Sequence, residues 1–193
     1  MMKNISKKLA IWLIKKEAIS QEEKELYEYA MYSFMITISP VIIVSIIGIF
    51  MNRLTESIFI IIPFMFIRKY SGGYHAKHSW VCMISSCGIL FLCVYAVAYI
   101  HYNILINIML VVAVVSLIIF SPIDSENRRL DMVEKRIYKI RTINIALSFA
   151  ILYGIFLMLN KTLAICIMEG LVLASCLQIP CVIIRLYTLM LRK

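Results

Sequence analysis

The chain has 193 residues, of which 62% are hydrophobic and only 16% are charged, and its mean hydropathy is +0.89. A soluble domain of this length has too little polar surface to cover so many apolar side chains, so the composition excludes that class and indicates a bundle of membrane helices. The chain has a formal net charge of +9, and the distribution of its Lys and Arg residues between the connecting segments is a guide to which helix ends face the cytoplasm.

Residues 1–19 predict an amphipathic helix. Apolar residues at positions 5, 9, 12 and 13 follow helical spacing, and three lysines lie mostly off that stripe. The simplest interpretation is a basic helix lying on an anionic membrane surface, and the alternative is an ordinary helix packed on the bundle. The first long apolar run starts only near Tyr29, so we expect no cleavable signal peptide.

The next two apolar segments differ in length. Ser20 followed by Glu23 is a capping-box pattern, so a second helix is predicted to start there, and Pro40 is expected to kink it. The following run, Ile58–Ile67, contains Pro63 and covers only about 15 Å as a helix. We therefore expect a tilted, broken or re-entrant element at this point.

Four further apolar runs are long enough to span a membrane: Trp80–Ile100, Ile104–Phe120, Thr142–Leu159 and Thr162–Ile184. The sequence has no internal repeats and no strand-like alternation. The predicted fold is an all-α integral membrane protein with about six apolar helical segments, one short or re-entrant, and an N-terminal amphipathic helix. We expect residues 1–193 to form a single membrane-embedded domain.

Positive charge is concentrated on one side of these segments. If the first long helix starts inside, 18 of the 20 Lys and Arg residues face the cytoplasm, and only Arg53 and Lys161 face outward. This split predicts a multi-pass protein of the cell membrane with both termini in the cytoplasm. Two connecting stretches, residues 68–82 and 121–141, fall on the same cytoplasmic side.

The first of these stretches, RKYSGGYHAKHSWVC, combines a thiol with histidine bases. Cys82 lies in the first turn of a helix that we expect to start near Ser79, where the partial positive charge of the helix end favours a thiolate. His75 supplies the base only if its loop folds back, since seven helical residues would separate the two by about 10 Å. Gly72 and Gly73 give the backbone freedom for that reversal.

The residues alone leave other interpretations of this stretch open. His78 stands four positions before Cys82, so in a helix the two side chains are neighbours on one face. The stretch also fits a basic interfacial connector, or a metal site formed by His75 and His78. No carboxylate or second cysteine lies close enough in sequence to complete a metal site, so we predict neither metal nor cofactor. The five other cysteines are interpreted as small hydrophobic residues without disulfides.

The segment GGYHAKHSWVC resembles the motif G-G-x-H-A-x5-C of the AgrB family, membrane peptidases that process the propeptides of Gram-positive quorum-sensing signals. A second segment, SPIDSENRRLD, is similar to the P-x4-N-[KR]-x-L element of that family, with Arg129 where the family often has proline. Its matching positions are Pro122, Asn127, Arg128 and Leu130. The resemblance makes His75 and Cys82 the catalytic pair and favours His75 over its rival.

The resemblance also implies a substrate and partners. An AgrD-type propeptide would lose its acidic C-terminal tail through attack by Cys82 and would be cyclised to a thiolactone or lactone. Membrane lipids are further partners, a homodimer is compatible with the family, and no nucleic acid is expected. Arg68, Gly72 and Gly73 are candidates for substrate binding or for stabilising the oxyanion.

The basic stretch 121–141 has two interpretations. Arg128 and Arg129 are candidates for gripping the acidic tail of the substrate, and the alternative is a solvated surface that anchors lipid headgroups. Asp124 and Glu126 are on the same predicted cytoplasmic side and are candidates for orienting His75, but the sequence does not assign a third catalytic residue.

A different class of function also has to be weighed. A small membrane transporter or peptide exporter would explain the helices and Glu169, an ionisable residue inside the last apolar run. It would not explain a helix-start cysteine beside a Gly-Gly-x-His loop, and a lipid- or thiol-modifying enzyme is a second alternative. For Glu169 we favour a structural hydrogen bond or a packing role, because Gly170 and Ala174 beside it form a small-xxx-small pair.

Overall fold

The computed structural model describes residues 2–73, 79–123 and 131–190, with the backbone alone for residues 2, 3, 79–84, 185, 186, 188 and 189. All regular structure in these ranges is α-helical, which confirms the predicted all-α membrane fold. The helices are α1 Met2–Lys15, α2 Lys24–Phe50, α3 Leu54–Ser71, α4 Ser79–Val97, α5 Ile104–Phe120, α6 Met132–Leu159, α7 Lys161–Cys176 and α8 Ile179–Met190.

The chain divides into two compact units, Met1–Ile43 and Val44–Lys193. In the first unit the backbone N–H and the hydroxyl of Ser20 each donate to Glu23 Oε2 at 3.0 Å. The bond from the backbone N–H is the main cause that lowers the pKa of the Glu23 carboxyl from its ordinary value. The helix α2 begins directly after this pair, at Lys24.

The helix α3 is longer than the apolar run that predicts it. Its 18 residues, Leu54–Ser71, span about 27 Å at 1.5 Å per residue. The structure differs from the predicted short run because the helix also takes in polar residues at both ends. Neither Pro40 in α2 nor Pro63 in α3 ends its helix, and the Pro63 ring is buried against Gly170 of α7.

The helix α7 lies at the centre of the second unit. Ten of its 16 residues are buried, as expected of a helix with apolar residues on every side, and it packs against α3, α4, α5, α6 and α8. The predicted close contact at Gly170 is made within the chain, because its Cα faces the backbone carbonyl of Ile60 in α3. The missing side chain lets the two backbones approach each other.

Aromatic pairs join α3 to α6. The pairs are Phe59–Phe156, Phe66–Phe149 and Tyr70–Tyr138, with ring centroids 5.1, 6.2 and 5.7 Å apart. Residue numbers rise along α3 as they fall along α6, so the two helices are antiparallel. A polar contact ties α6 to α5 as well, since the Tyr153 hydroxyl donates to Asn107 Oδ1 at 2.5 Å.

A single residue, Asn160, separates α6 from α7. Its backbone N–H donates to the Phe156 carbonyl at 2.7 Å. Its side-chain Oδ1 accepts the N–H groups of Thr162 and Leu163 at 3.0 and 3.3 Å. Asn160 therefore ends one helix and caps the next.

The helix α6 begins ten residues before the predicted apolar run, at Met132. Glu134 accepts the backbone N–H of Asp131 at 3.3 Å, which is half of a capping box and favours a helix start here. The stretch from Met132 to Arg141 is consequently helical, whereas the sequence predicts it as part of the basic loop 121–141.

The last apolar run is divided into two helices. The helix α7 ends at Cys176 and α8 starts at Ile179, whereas the sequence predicts one run to Ile184. Pro180 explains the break, because it has no N–H to donate to the carbonyl four residues earlier.

Three stretches are long and apolar enough to cross a membrane: Lys24–Phe50, Met132–Leu159 and Lys161–Ile184. Two shorter apolar stretches cover Ser85–Val97 and Ile104–Phe120. Large apolar side chains on α5 are exposed, among them Ile104, Val112 and Ile119. A surface of this kind belongs in lipid, so the chain is a membrane protein.

The close approach of α3 and α7 yields a test of packing. Gly170→Ala should lower the free energy of unfolding by about 1–3 kcal/mol, because a Cβ would overlap the Ile60 carbonyl. Gly154→Ala in α6 is the matched control, since no atom lies within 4 Å of a Cβ there. The control should be neutral or raise stability by up to about 1 kcal/mol. Denaturant unfolding in detergent measures both, and equal stabilisation by the two changes would contradict the close approach.

Candidate active site

The C-terminal ends of α3, α5 and α7 meet in what we call the helix-end junction, residues 71–73, 121–123 and 177–178. The backbone N–H of Ile123 donates to the Ser71 carbonyl at 2.9 Å. Carbonyls at a helix C-terminus have no partner within their own helix, so this bond ties the end of α3 to the chain that follows α5. The two motif-bearing stretches therefore start side by side.

Gly72 and Gly73 are glycines for reasons of backbone geometry. Their φ angles are 71° and 132°, a region that residues with a side chain rarely adopt. A Cβ on Gly72 would overlap the Ile123 carbonyl, and one on Gly73 would overlap the Arg68 guanidinium. These two predicted site residues shape the turn by which the chain leaves α3.

Arg68 stabilises the same glycine turn from within α3. It lies in the last turn of α3, and its Nη1 donates to the Gly72 carbonyl at 2.8 Å. The Ser71 hydroxyl donates to that carbonyl as well, at 3.2 Å. A cation at a helix C-terminus is also favoured by the helix dipole, so Arg68 stabilises the turn both by charge and by hydrogen bonding.

Gln178 is a junction residue that the sequence analysis missed. It is 1% exposed, and its Nε2 donates to Ser121 Oγ at 2.8 Å and to the Ser71 carbonyl at 3.4 Å. Its Oε1 is buried without a hydrogen-bond partner, a state that costs about 1–3 kcal/mol. The sequence does offer one sign of its role, because Gln178 is an isolated amide side chain in an apolar run, two residues before Pro180.

Cys82 is the fourth residue of α4, which begins at Ser79 as the sequence predicts. Its backbone therefore lies in the first turn, at the positive end of the helix dipole. The remaining predicted residues lie outside the described ranges: His75, His78, Asp124, Glu126, Arg128 and Arg129. Their roles stay predictions.

Cations surround Tyr70, next to the junction. Arg141 Cζ lies 5.4 Å and Lys69 Nζ 5.5 Å from the centre of the Tyr70 ring, distances at which a cation is attracted by an aromatic face. The first turns of α6 add Arg136 and Lys139, both exposed. This end of the second unit is therefore positively charged and suits an anionic partner.

Glu169 lies about two turns before the end of α7. Its Oε2 is buried and has no hydrogen-bond partner where the chain is described. That oxygen therefore does not make the structural hydrogen bond that the sequence analysis favours.

The fold and the helix-end junction define a multi-pass α-helical membrane protein. A cysteine lies in the first turn of α4, and the Gly72–Gly73 turn lies at one end of the helix bundle. The family model described as Accessory gene regulator B matches residues 6–182, and the chain belongs to this AgrB family. Two AgrB-like proteins of Clostridium perfringens are similar to it. One, from strain 13 / Type A, is 28% identical over 144 residues. The other, from strain SM101 / Type A, is 27% identical over 145 residues.

Each alignment covers 70% of this chain and 67% of the relative. No solved structure gives a significant match. Membership confirms the family suggested by the two sequence motifs and gives the chain a role in the processing of accessory gene regulator propeptides in quorum sensing.

The glycine turn can be tested separately from activity. Gly72→Ala should lower the free energy of unfolding by about 1–3 kcal/mol, because φ is 71° and the Ile123 carbonyl occupies the place of a Cβ. Gly88→Ala in α4 is the control, since a Cβ there meets no atom within 4 Å. Thermal unfolding of the purified proteins compares the two, and an unchanged midpoint for Gly72→Ala would argue against the positive-φ turn.

Proposed function

We propose that this chain is a cysteine endopeptidase of the cell membrane that removes the C-terminal tail of an AgrD-type propeptide and promotes cyclisation of the remainder to a thiolactone or lactone. The observation that carries the proposal is the hydrogen bond between Ser71 and Ile123 at 2.9 Å. This bond joins the starts of both motif-bearing stretches, and Cys82 follows in the first turn of α4.

The first step is acyl transfer to the enzyme. The Cys82 thiol loses its proton to His75, and the thiolate attacks the carbonyl that precedes the tail. The C–N bond breaks, His75 returns the proton to the leaving amine, and the remainder of the peptide stays on Cys82 as a thioester. The positive end of α4 favours the thiolate over the thiol.

The second step closes the ring. The internal Cys or Ser of the propeptide attacks the thioester, its proton leaves through His75, and Cys82 is released as the thiol. With an internal Cys this step is thioester exchange and is close to isoenergetic, and with an internal Ser it gives an ester. Attack by water would instead hydrolyse the intermediate to a linear acid. The site must therefore exclude water and hold the internal nucleophile close. Formation of a thioester from an amide is uphill, so removal of tail or product has to draw the reaction forward.

The junction residues have distinct proposed roles. Arg68 holds the Gly72–Gly73 turn through its 2.8 Å bond to the Gly72 carbonyl, and a backbone N–H at the start of α4 donates to the oxyanion. Arg128 and Arg129 grip the acidic tail, supported by the positive charge around Tyr70. The excess of Lys and Arg at this end favours a cytoplasmic active site and cytoplasmic termini.

A peptide exporter without covalent chemistry is the second candidate. The buried, unpartnered Oε2 of Glu169 in α7 favours it, because an ionisable group inside a membrane bundle often marks a transport path. Thiol labelling separates the two candidates. In a peptidase Cys82 reacts much faster near pH 7 than the five other cysteines, and in an exporter it does not.

Mixing the purified protein with its propeptide and weighing the products tests the nucleophile. Cys82→Ala should abolish tail removal while the protein remains folded in the membrane. Cys82→Ser should bind the propeptide with little turnover, because a hydroxyl lacks the low pKa of a thiol. Cys87→Ala, which removes a free thiol from the same helix, should stay active. Tail release by Cys82→Ala at the parent rate would refute the mechanism.

The two histidines of the loop should behave differently. His75→Ala should reduce the rate of tail removal by about 10²-fold or more, whereas His78→Ala should cost less than about tenfold. Each rate is measured under single-turnover conditions in vesicles. Loss of activity with His78→Ala alone would make the loop helical from Tyr74 onward and would reverse the assignment.

Changing Arg128 and Arg129 to Gln should weaken processing of the native propeptide mainly through binding. The loss should be larger at low salt, because salt already screens the contact of the parent. A propeptide with a neutralised tail should be processed poorly by the parent and be indifferent to the change. A double-mutant cycle over enzyme and tail should give a coupling of about 1–3 kcal/mol, and simple additivity would indicate a headgroup anchor instead.

A further inference from the structure

The end of the bundle opposite the helix-end junction carries a chain of polar contacts. The helix α7 has 16 residues, from Lys161 to Cys176, so this end lies about 24 Å from the junction along the helix. The Tyr153 hydroxyl donates to Asn107 Oδ1 at 2.5 Å, and Asn107 Nδ2 donates to the Tyr102 hydroxyl at 2.9 Å. These two bonds fix the orientation of the Asn107 amide, so the Tyr102 oxygen is an acceptor here and its own proton points elsewhere.

Two hydrogen-bond donors are available at this end. Tyr102 is 37% exposed, and its hydroxyl proton meets no acceptor in the part of the chain that the structure describes. Lys161 Nζ lies 5.5 Å from the centre of the Tyr102 ring. It forms no ion pair with a described residue, whereas Arg53 is paired with Glu56 at 3.2 Å. A cation in the first turn of a helix is disfavoured by the helix dipole, so the stability of α7 does not explain Lys161.

An apolar groove on α5 begins at the same Asn107 amide. Its volume is about 240 Å³, and its lining residues are Asn107, Ile108, Val111 and Val112. The three apolar side chains are 52%, 59% and 62% exposed, and the lining extends about 7.5 Å along the helix axis. In a membrane such a surface faces acyl chains, which are as apolar as the side chains themselves. Because Asn107 belongs to both, the groove and the two donors form one continuous surface.

We propose that this surface is a binding site for one anionic phospholipid. The lipid phosphate accepts hydrogen bonds from Lys161 Nζ and the Tyr102 hydroxyl, and one acyl chain lies in the α5 groove. The apolar groove favours a lipid over a free phosphate ion. A tail gains little by leaving other tails for the groove, so the headgroup sets the preference. A zwitterionic headgroup brings its own cation, which competes with Lys161 for the phosphate, whereas phosphatidylglycerol does not.

Photocrosslinking of the full-length protein in phosphatidylcholine nanodiscs tests the site. The probe is a small fraction of phosphatidylglycerol with a diazirine near the carbonyl end of one acyl chain, and mass spectrometry identifies the labelled residues. Crosslinks should be concentrated in residues 107–112. Unlabelled phosphatidylglycerol should compete at least about fivefold better than added phosphatidylcholine. Inorganic phosphate should not compete, and competition by it would assign the donors to a free anion and overturn the lipid site.

Changes to the two donors test the headgroup contacts. Lys161→Gln should lower the crosslinking yield in residues 107–112 about fivefold, because a charged contact near the membrane surface is lost. Lys69→Gln is the matched control at the junction end, since Lys69 Nζ also lies 5.5 Å from the centre of a tyrosine ring, and it should leave the yield unchanged. Tyr102→Phe keeps the ring, removes the donor and should lower the yield about threefold. This variant alone decides if Lys161→Gln fails to fold.

Filling the groove separates a specific site from the general lipid surroundings of the protein. Val111→Trp should displace the acyl chain and lower crosslinking to the rest of the groove. Ile119→Trp, two turns farther along α5, should not, although the two parent residues are similarly exposed at 59% and 61%. Uniform crosslinking along the lipid-facing helices would overturn the site, and so would an unchanged yield with Lys161→Gln and Tyr102→Phe. None of these readouts requires peptidase activity.

Discussion

The packing of the second unit depends on the close backbone contact between α3 and α7 at Gly170. A helix that buries most of its circumference needs neighbours on every side, and α7 has α3, α4, α5, α6 and α8 around it. The α3 backbone lies directly against Gly170, and both helices continue from this contact to the helix-end junction. There Gln178 Nε2 donates to the Ser71 carbonyl at 3.4 Å and to Ser121 Oγ, just after α5, at 2.8 Å.

The helix-end junction anchors the two motif-bearing stretches on packed helix ends. Helix C-termini carry carbonyls without intrahelical partners, which are costly to leave unpaired in a dry interior. Here Ile123, Arg68 and Gln178 donate to carbonyls of residues 71 and 72. The same bonds that satisfy the end of α3 give the glycine turn its direction. One set of contacts thus both stabilises the end of α3 and orients the glycine turn of the candidate site.

Hydropathy and local chemistry predict part of this arrangement and miss the rest for physical reasons. The ends of α5 coincide with those of its apolar run, and α4 begins at Ser79 as predicted. The full length of α3 was missed because its polar ends lie outside the apolar run. Gln178 was missed because its importance depends on two serines distant in sequence, which no local pattern connects.

The one-residue connection at Asn160 has a consequence for biosynthesis. Both flanking stretches, Met132–Leu159 and Lys161–Ile184, are long and apolar enough to span a membrane, yet no loop between them can remain in water while one helix enters alone. Backbone groups without hydrogen-bond partners are costly in lipid. The Asn160 N–H donates to a carbonyl at the end of α6, and the Asn160 side chain accepts two N–H groups at the start of α7. We therefore expect the translocon to release α6 and α7 as one helical hairpin, so the central helix of the second unit enters the bilayer with a neighbour already in place.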